Sequence, residues 1–282
     1  MKIIDIKNYG FVPPIIDDTQ YILGGLTKVP KVILQPNGDW SDYLPEYEPQ
    51  FNEKFDSTGC TVWGTENVIE TLLKKKLGIE YNFSERYIYI LAKVRPPGAD
   101  PHKIAEVIRS EGLIPDELLP MTPSFEEFIQ PDPMRTDLLV KGQLWPYKLM
   151  HEWVWERKQT REQRKKKIRE ALKYSPLGVS VTAWIEEDGV YIDDGRPNTH
   201  WTVIYGEADN GWKVFDSYDH SNKILSFDHD IRFCKRYFLG DKPMTTEVGI
   251  DLLKRIIEFL SDIIEKMKNS VGGLLGKNYK IA

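Results

Sequence analysis

Cys60, His200 and Asp216 are the residues of this chain whose types, order and surroundings could do chemistry together. Cys60 stands where a helical pattern begins. Unpaired backbone N–H groups and the helix dipole at such a point favour a thiolate. A thiolate is a nucleophile for acyl transfer, and an imidazole can take its proton and stabilise it as an ion pair. His200 lies 140 residues further on, in Asn198-Thr-His-Trp-Thr-Val-Ile-Tyr-Gly, and leads directly into an apolar strand. Asp216 comes 156 residues after the cysteine, at the end of the strand in Trp212-Lys-Val-Phe-Asp-Ser-Tyr. A carboxylate there can accept an imidazole N–H, hold the useful tautomer and favour the imidazolium. The plainer alternative is that Cys60 is a small buried helix residue, the usual fate of a free cysteine. Cys234, between Phe233 and Lys235 on an expected late strand, has no such partner in sequence. Cys60 is therefore expected to ionise below the ordinary thiol value of about 8.5, and Cys234 to be inert.

The elements that must position these residues can be read from periodicity. Val62, Trp63, Ile69, Leu72, Leu73 and Leu77 predict a helix over 60–77, opened after Ser57-Thr-Gly and ended by Gly78. Further helices are predicted over 84–94, stopped before Pro96-Pro97, over 101–111, and over 160–174 with a charged outer face. The period then shifts. Segments beginning at Val179, Thr199, Trp212 and Lys223 alternate or run apolar between turn residues, as strands do. Helices first and an antiparallel sheet later define an α+β order. Residues 1–49 carry six prolines and no long helical period, and they predict an extended N-terminal arm.

Composition bounds the rest. The 282 residues are 41% hydrophobic with a net charge of −5, the profile of a chain that buries a real core rather than a disordered one. No apolar run reaches the length of a membrane span, and the start lacks a secretory h-region, so a cytoplasmic or virion-associated protein is expected. Two cysteines give no disulfide framework. A pI near 5.7 gives no general attraction to nucleic acid.

Together these features resemble the papain-like cysteine peptidases. Ser57-Thr-Gly-Cys-Thr-Val-Trp-Gly looks like that family's nucleophile motif, and Phe83-Ser-Glu-Arg-Tyr like its serine–glutamate turn. Gly98-Ala-Asp-Pro-His-Lys-Ile-Ala-Glu-Val-Ile-Arg-Ser-Glu-Gly-Leu-Ile-Pro looks like the segment where a helix ends at a glycine before a proline loop. The histidine and Asp216 strands follow in the family's order, near its spacing of roughly 130–150 residues. The flavour is closest to divergent members encoded by bacteriophages and prophages, with a Leu44-Pro lead-in and an Asp56-Ser-Thr-Gly-Cys loop.

The resemblance implies a two-lobed α+β fold over residues 50–240, a helical lobe led by Cys60 and an antiparallel β lobe bearing His200 and Asp216. The site lies in the cleft between them, and no metal or organic cofactor is needed. Three departures matter. The family's usual orienting Asn is Asp216 here. Its oxyanion-hole Gln sits closer to the cysteine than Gln50, ten residues upstream, so either an insertion in 51–58 lets Gln50 reach or another donor serves. Tyr218 stands where the family's shielding Trp would be, either as a shield or as an ordinary sheet aromatic. The family's long helical proregion has no counterpart.

Other signals have bland readings. His151-Glu152 begins like a zinc-protease motif, but position 155 is Trp155. His220, Asp228, His229 and Asp230 read as a solvated loop, and the basic run 157–169 as a solvated helix face. In residues 241–282, Ile250, Ile257, Ile264 and Val271 recur every seven positions, as do Leu253, Leu260, Met267 and Leu274. That pattern predicts a C-terminal helix, either docked on its own core or self-associating through 248–271. The resulting expectation is a peptidase acting on a peptide or protein substrate. Its alternatives are a cell-wall peptide amidase of the same fold and a structural or assembly module in a phage particle.

Overall fold

The computed structural model describes residues 9–242, apart from 24, 26–27, 131–135 and 156–158, with seven helical positions of the tail between Lys254 and Lys268. Of the heptad positions in 248–271, Ile257, Leu260, Ile264 and Met267 are helical and at least half exposed, and Ile250, Leu253 and Val271 lie outside the described residues. Helix α1 spans Cys60–Leu77, and every residue from Cys60 to Leu73 is buried. A helix covered all round needs neighbours on every side. The helices α2 (Glu85–Leu91) and α3 (Pro101–Glu111) pack against it, and so does the sheet. Their N-terminal signals work as sequence chemistry requires: Ser84 accepts from the Tyr87 N–H and Asp100 from the His102 N–H. Two short helices, α4 (Phe125–Phe128) and α5 (Thr136–Gln143), precede α6 (Arg161–Leu172), which opens on a Thr160–Gln163 capping box.

The β lobe is one eight-stranded sheet. Its strands are β1 (Tyr147–Trp153), β2 (Leu177–Val181), β3 (Glu186–Glu187), β4 (Val190–Tyr191), β5 (His200–Ala208), β6 (Gly211–Asp216), β7 (Asp219–Ser226) and β8 (Cys234–Asp241). They lie in the order β1-β8-β2-β5-β6-β7-β4-β3. The α+β papain-like architecture is as expected, with two corrections. Strand β1 comes before α6, so helices and strands are not cleanly segregated along the chain. The short β4 pairs parallel to β7, through Val190 with Ile224 and Tyr191 with Leu225, inside an otherwise antiparallel sheet.

The lobes meet through Trp201, on β5. Its indole lies between Gly64 of α1 and Gly178 of β2, where a Cβ would come within 2.9 and 2.6 Å of the ring. Only residues without a side chain let the helix and the sheet close on it at this distance. The arm is stitched over the same body. Trp40 is fully buried and donates to the Leu172 carbonyl at 2.7 Å. Leu23 donates its N–H to the Trp153 carbonyl at 2.8 Å, and Trp153 returns one to Tyr21 at 2.8 Å. The buried Arg236 holds Glu152 at 2.6 Å and donates to the Pro30 carbonyl at 3.0 Å.

Burial of α1 from Cys60 to Leu73 also encloses carboxyl groups. Glu66 is 1% exposed and neither carboxyl oxygen has a hydrogen-bond partner. Burial, then the charge of Glu70, pushes its pKa well above the usual carboxylate range. Below the unfolded-state carboxyl pKa of about 4.3 both states are protonated and Glu66 costs nothing. As pH rises through that value the unfolded chain ionises first, and stability falls. Glu66→Gln is therefore expected to leave the melting temperature nearly unchanged at pH 4 and to raise it by several degrees at pH 8. Thermal melts of both proteins across that range check the sign.

Candidate active site

Cys60 is the first residue of α1, after Gly59. Its Sγ accepts the backbone N–H of Trp201 at 3.4 Å, so the thiol rests against the start of β5, next to His200. The loop that delivers it is held by side chains. Asp56 Oδ1 accepts from the Thr58 N–H at 2.8 Å and Ser57 Oγ from the Gly59 N–H at 3.1 Å, while Thr58 sits at φ 52°. A non-glycine residue in the left-handed region is strained and persists only where its surroundings dictate it.

His200 is fully buried, as is the Asp216 side chain, and Nε2 lies 2.5 Å from Asp216 Oδ1. The remaining imidazole nitrogen, Nδ1, has no hydrogen-bond partner. Three aromatic rings stand edge-on to the imidazole: Tyr218 at 5.4 Å, Tyr9 at 5.5 Å and Trp184 at 5.6 Å. The expected pair is thus assembled, and Tyr218 does stand over it. Sequence reasoning missed Lys223. Its buried Nζ lies 2.6 Å from Asp216 Oδ2, so the carboxylate is shared between an imidazole and an ammonium. Burial alone would raise the Asp216 pKa, but His200 and Lys223 outweigh it and hold it at about 2. Lys223 falls in an apolar strand pattern, and an inward-facing lysine there was the signal for a buried counter-ion.

Gln50 is brought to the same place by a tight hairpin. Phe51 bridges to Asp56, and the Ser57 N–H donates to the Gln50 carbonyl at 3.1 Å, which folds the chain between Gln50 and Cys60 back on itself. The Gln50 side chain is fully buried. Its Nε2 donates to the Tyr9 carbonyl at 3.1 Å and the Tyr218 hydroxyl at 2.7 Å, and its Oε1 accepts from Ser217 Oγ at 2.8 Å.

Tyr9 belongs to the arm, and the arm runs through the cleft. The Tyr9 N–H donates to the Thr199 carbonyl at 3.0 Å, beside His200. Ala99 donates to the Gly10 carbonyl at 2.9 Å and accepts from the Val12 N–H at 3.0 Å. Gly10, at φ +113°, passes so close to the Cys60 loop that a Cβ would lie 2.0 Å from the Thr58 carbonyl oxygen. Phe11 stacks on Trp201 with ring centres 5.8 Å apart, in a cluster with Cys60 and Trp153. Cys60 is consequently 0% exposed. Its thiol is pushed well above the ordinary range, because desolvation outweighs the Trp201 N–H and the Asp216 charge adds to it. This corrects the expectation of a low thiol pKa: the helix terminus is present, but water is excluded from it. Cys234 is equally buried and its thiol is likewise raised by desolvation, so burial does not separate the two cysteines.

One bland reading also changes. His229 is not solvated; it is 2% exposed and its Nε2 accepts the Thr182 N–H at 3.0 Å. Glu152 is the buried partner of Arg236. His220 remains at the surface. Among the described residues no group of three His, Cys, Asp or Glu could hold a metal ion. None of the described helices is long and apolar enough to cross a membrane.

No family model and no curated protein matches this sequence. Solved structures do match the fold. A digestive procathepsin L 3 from the larval midgut of Tenebrio molitor aligns with a TM-score of 0.56 at 11% identity, over 82% of this chain and 76% of that one. The ragweed pollen allergen Amb a 11, a cysteine protease in its proform, aligns at 0.54 and 15% identity, over 78% of this chain and 69% of that one. The cysteine protease and lectin-like domains of Cwp84, a surface-layer-associated protein of Clostridium difficile, align at 0.55 and 12% identity; this chain spans half of that one. At these identities the likeness is one of fold: the architecture is that of the papain-like cysteine proteases.

Because the arm sets the exposure of Cys60, loosening it is expected to change thiol reactivity. Iodoacetamide should modify both cysteines of the native chain slowly at pH 7.5. Phe11→Asp, which puts a charge among Trp153, Trp201 and Phe233, should accelerate modification of Cys60 at least tenfold and leave Cys234 unchanged, read by peptide mass spectrometry. Equal acceleration of both thiols would indicate general unfolding instead.

Proposed function

We propose that this chain is a cysteine-type peptidase that hydrolyses peptide or isopeptide bonds through a thioester on Cys60. The observation that carries the reading is the placement of the Cys60 thiol, at a helix N-terminus, against the first residues of the strand whose His200 is anchored by Asp216. In the proposed reaction His200 Nδ1 takes the thiol proton as Sγ attacks the carbonyl carbon, then delivers it to the leaving amine. Water activated by the same imidazole cleaves the thioester. Asp216 accepts the Nε2–H throughout and fixes the tautomer. Lys223 keeps Asp216 ionised without competing for the oxygen that faces His200.

Gln50 is proposed as the side-chain donor of the oxyanion hole. In support, its Nε2 already holds a peptide carbonyl, that of Tyr9. A substrate carbonyl would take the place of the arm's. The reading therefore requires residues 9–12 to leave the cleft before a substrate enters. Residues 50–240 form the catalytic unit in this assignment and residues 1–49 cover it.

The test is a peptide-library digest by the Phe11→Asp protein, with products read by mass spectrometry. His200→Ala in that background should lower kcat/KM by about 10²–10⁴, the usual worth of general acid–base catalysis, while circular dichroism shows the chain still folded. Gln50→Ala should lower kcat by about 10²–10³ with little change in KM, the effect of losing one oxyanion donor. If Cys60 is freely alkylated in Phe11→Asp and no peptide is cleaved, the chain is a papain-like body without peptidase activity and the proposal fails.

A further inference from the structure

Behind Trp153, away from the cysteine, lies a cavity of about 430 Å³ that the proposed reaction does not use. Its wall carries a fully buried lysine. Lys235, on β8, has no carboxylate within ion-pair distance among the described residues. Its Nζ donates to His102 Nδ1 at 3.3 Å and sits 3.8 Å over the Trp153 ring. An ammonium has three protons to donate, so these two contacts leave it incompletely satisfied. A buried charge without a counter-ion is costly. Burial lowers the Lys235 pKa to about 7 even though Asp100 and Glu106 oppose the shift.

His151 is 6% exposed, yet its Nδ1 has no hydrogen-bond partner; its Nε2 is engaged by Glu106 at 2.9 Å. The two imidazoles stand edge-on, 5.1 Å apart. Glu106, the single carboxylate lining the cavity among the described residues, is taken by His151 and Arg109. Against it stand Lys28, Lys148, Arg109 and Lys235. A cavity with four cations and one occupied carboxylate attracts anions, and a lysine with a histidine offers the donors that carboxylate and phosphate oxygens accept.

We infer that this cavity is a binding site for a compact anionic group, a carboxylate or phosphate, held by Lys235 and His102 behind Trp153. Such a ligand supplies the counter-charge that Lys235 lacks. The same chemistry could arrive as a free small acid or as an acidic side chain of a bound peptide.

Calorimetric titration of the full-length chain distinguishes these outcomes. Inorganic phosphate, succinate and N-acetyl-glutamate amide are titrated separately, with sodium chloride at equal ionic strength as the control. Saturable millimolar binding of phosphate or succinate that is weaker for the glutamate derivative identifies a site for free anions; the reverse order identifies a side-chain pocket. In either case Lys235→Met should weaken binding by at least about tenfold, as expected for loss of a charge-assisted hydrogen bond. His102→Gln, which keeps a neutral polar residue, should weaken it at least threefold and provides the test if Lys235→Met does not fold. Heats indistinguishable from chloride, or affinities unchanged in the folded variants, overturn the proposal. Neither outcome depends on peptidase activity, so the site stands or falls separately from the reaction assigned to Cys60.

Discussion

The packing of Trp201 between two glycines is the constraint on which the rest depends. Gly64 lets the indole lie directly on α1, and Gly178 lets β2 close on its other side. The backbone of Trp201 then lies within reach of the Cys60 sulfur. Because His200 precedes Trp201, the same contact that joins the two lobes also places the His200 backbone next to the residue bonded to the thiol. Interiors are close-packed and resist small displacements, so a side chain added at either glycine would move Cys60 relative to the start of β5. Fold and site here share one contact.

Charge is managed by burial in matched sets, and the places where matching fails are informative. Asp216 is taken completely out of water, yet stays a carboxylate because His200 and Lys223 each hold one oxygen. Arg236 and Glu152 are buried together and tie the sheet to the arm through Pro30. Glu66 and Lys235 have no such partner. Glu66 is enclosed by its helix and can only be neutralised. Lys235 opens on a cavity, and an outside group can complete it. The difference between a strained core residue and a candidate site is access.

The arm shows two physical effects in competition. A helix N-terminus stabilises a thiolate by less than about 2 kcal/mol at best, whereas removing an ion from water costs several kcal/mol. With Phe11 packed beside Cys60 the second effect prevails, and the thiol is held protonated. The same segment bonds by its backbone to Thr199 and Ala99 on the two sides of the cleft. The occlusion is therefore built from specific hydrogen bonds and an aromatic seat rather than from a loop lying loosely over the surface.

Much of this was legible in the residues themselves. Local chemistry fixed the start of α1 at Cys60, the cap Ser84 and the β period of the last third. The order of Cys60, His200 and Asp216 was legible for the same reason: helix termini and strand ends are marked by short-range signals. What lay beyond the sequence depends on contacts between distant segments. The Lys223–Asp216 pair spans a turn whose partner is visible only once β6 and β7 are paired. The hairpin that returns Gln50 to Cys60 depends on the Phe51–Asp56 bridge. Strand β1 takes its place only through pairing with β8, more than eighty residues later. The thiol's protonation depends on where the arm lies, and a segment rich in proline and poor in periodicity carries no local signal of its destination. The sequence by itself determined the reactive groups and the elements that bear them; the tertiary structure decided which groups meet and which are hidden from water, because both are set by packing across the chain and not along it.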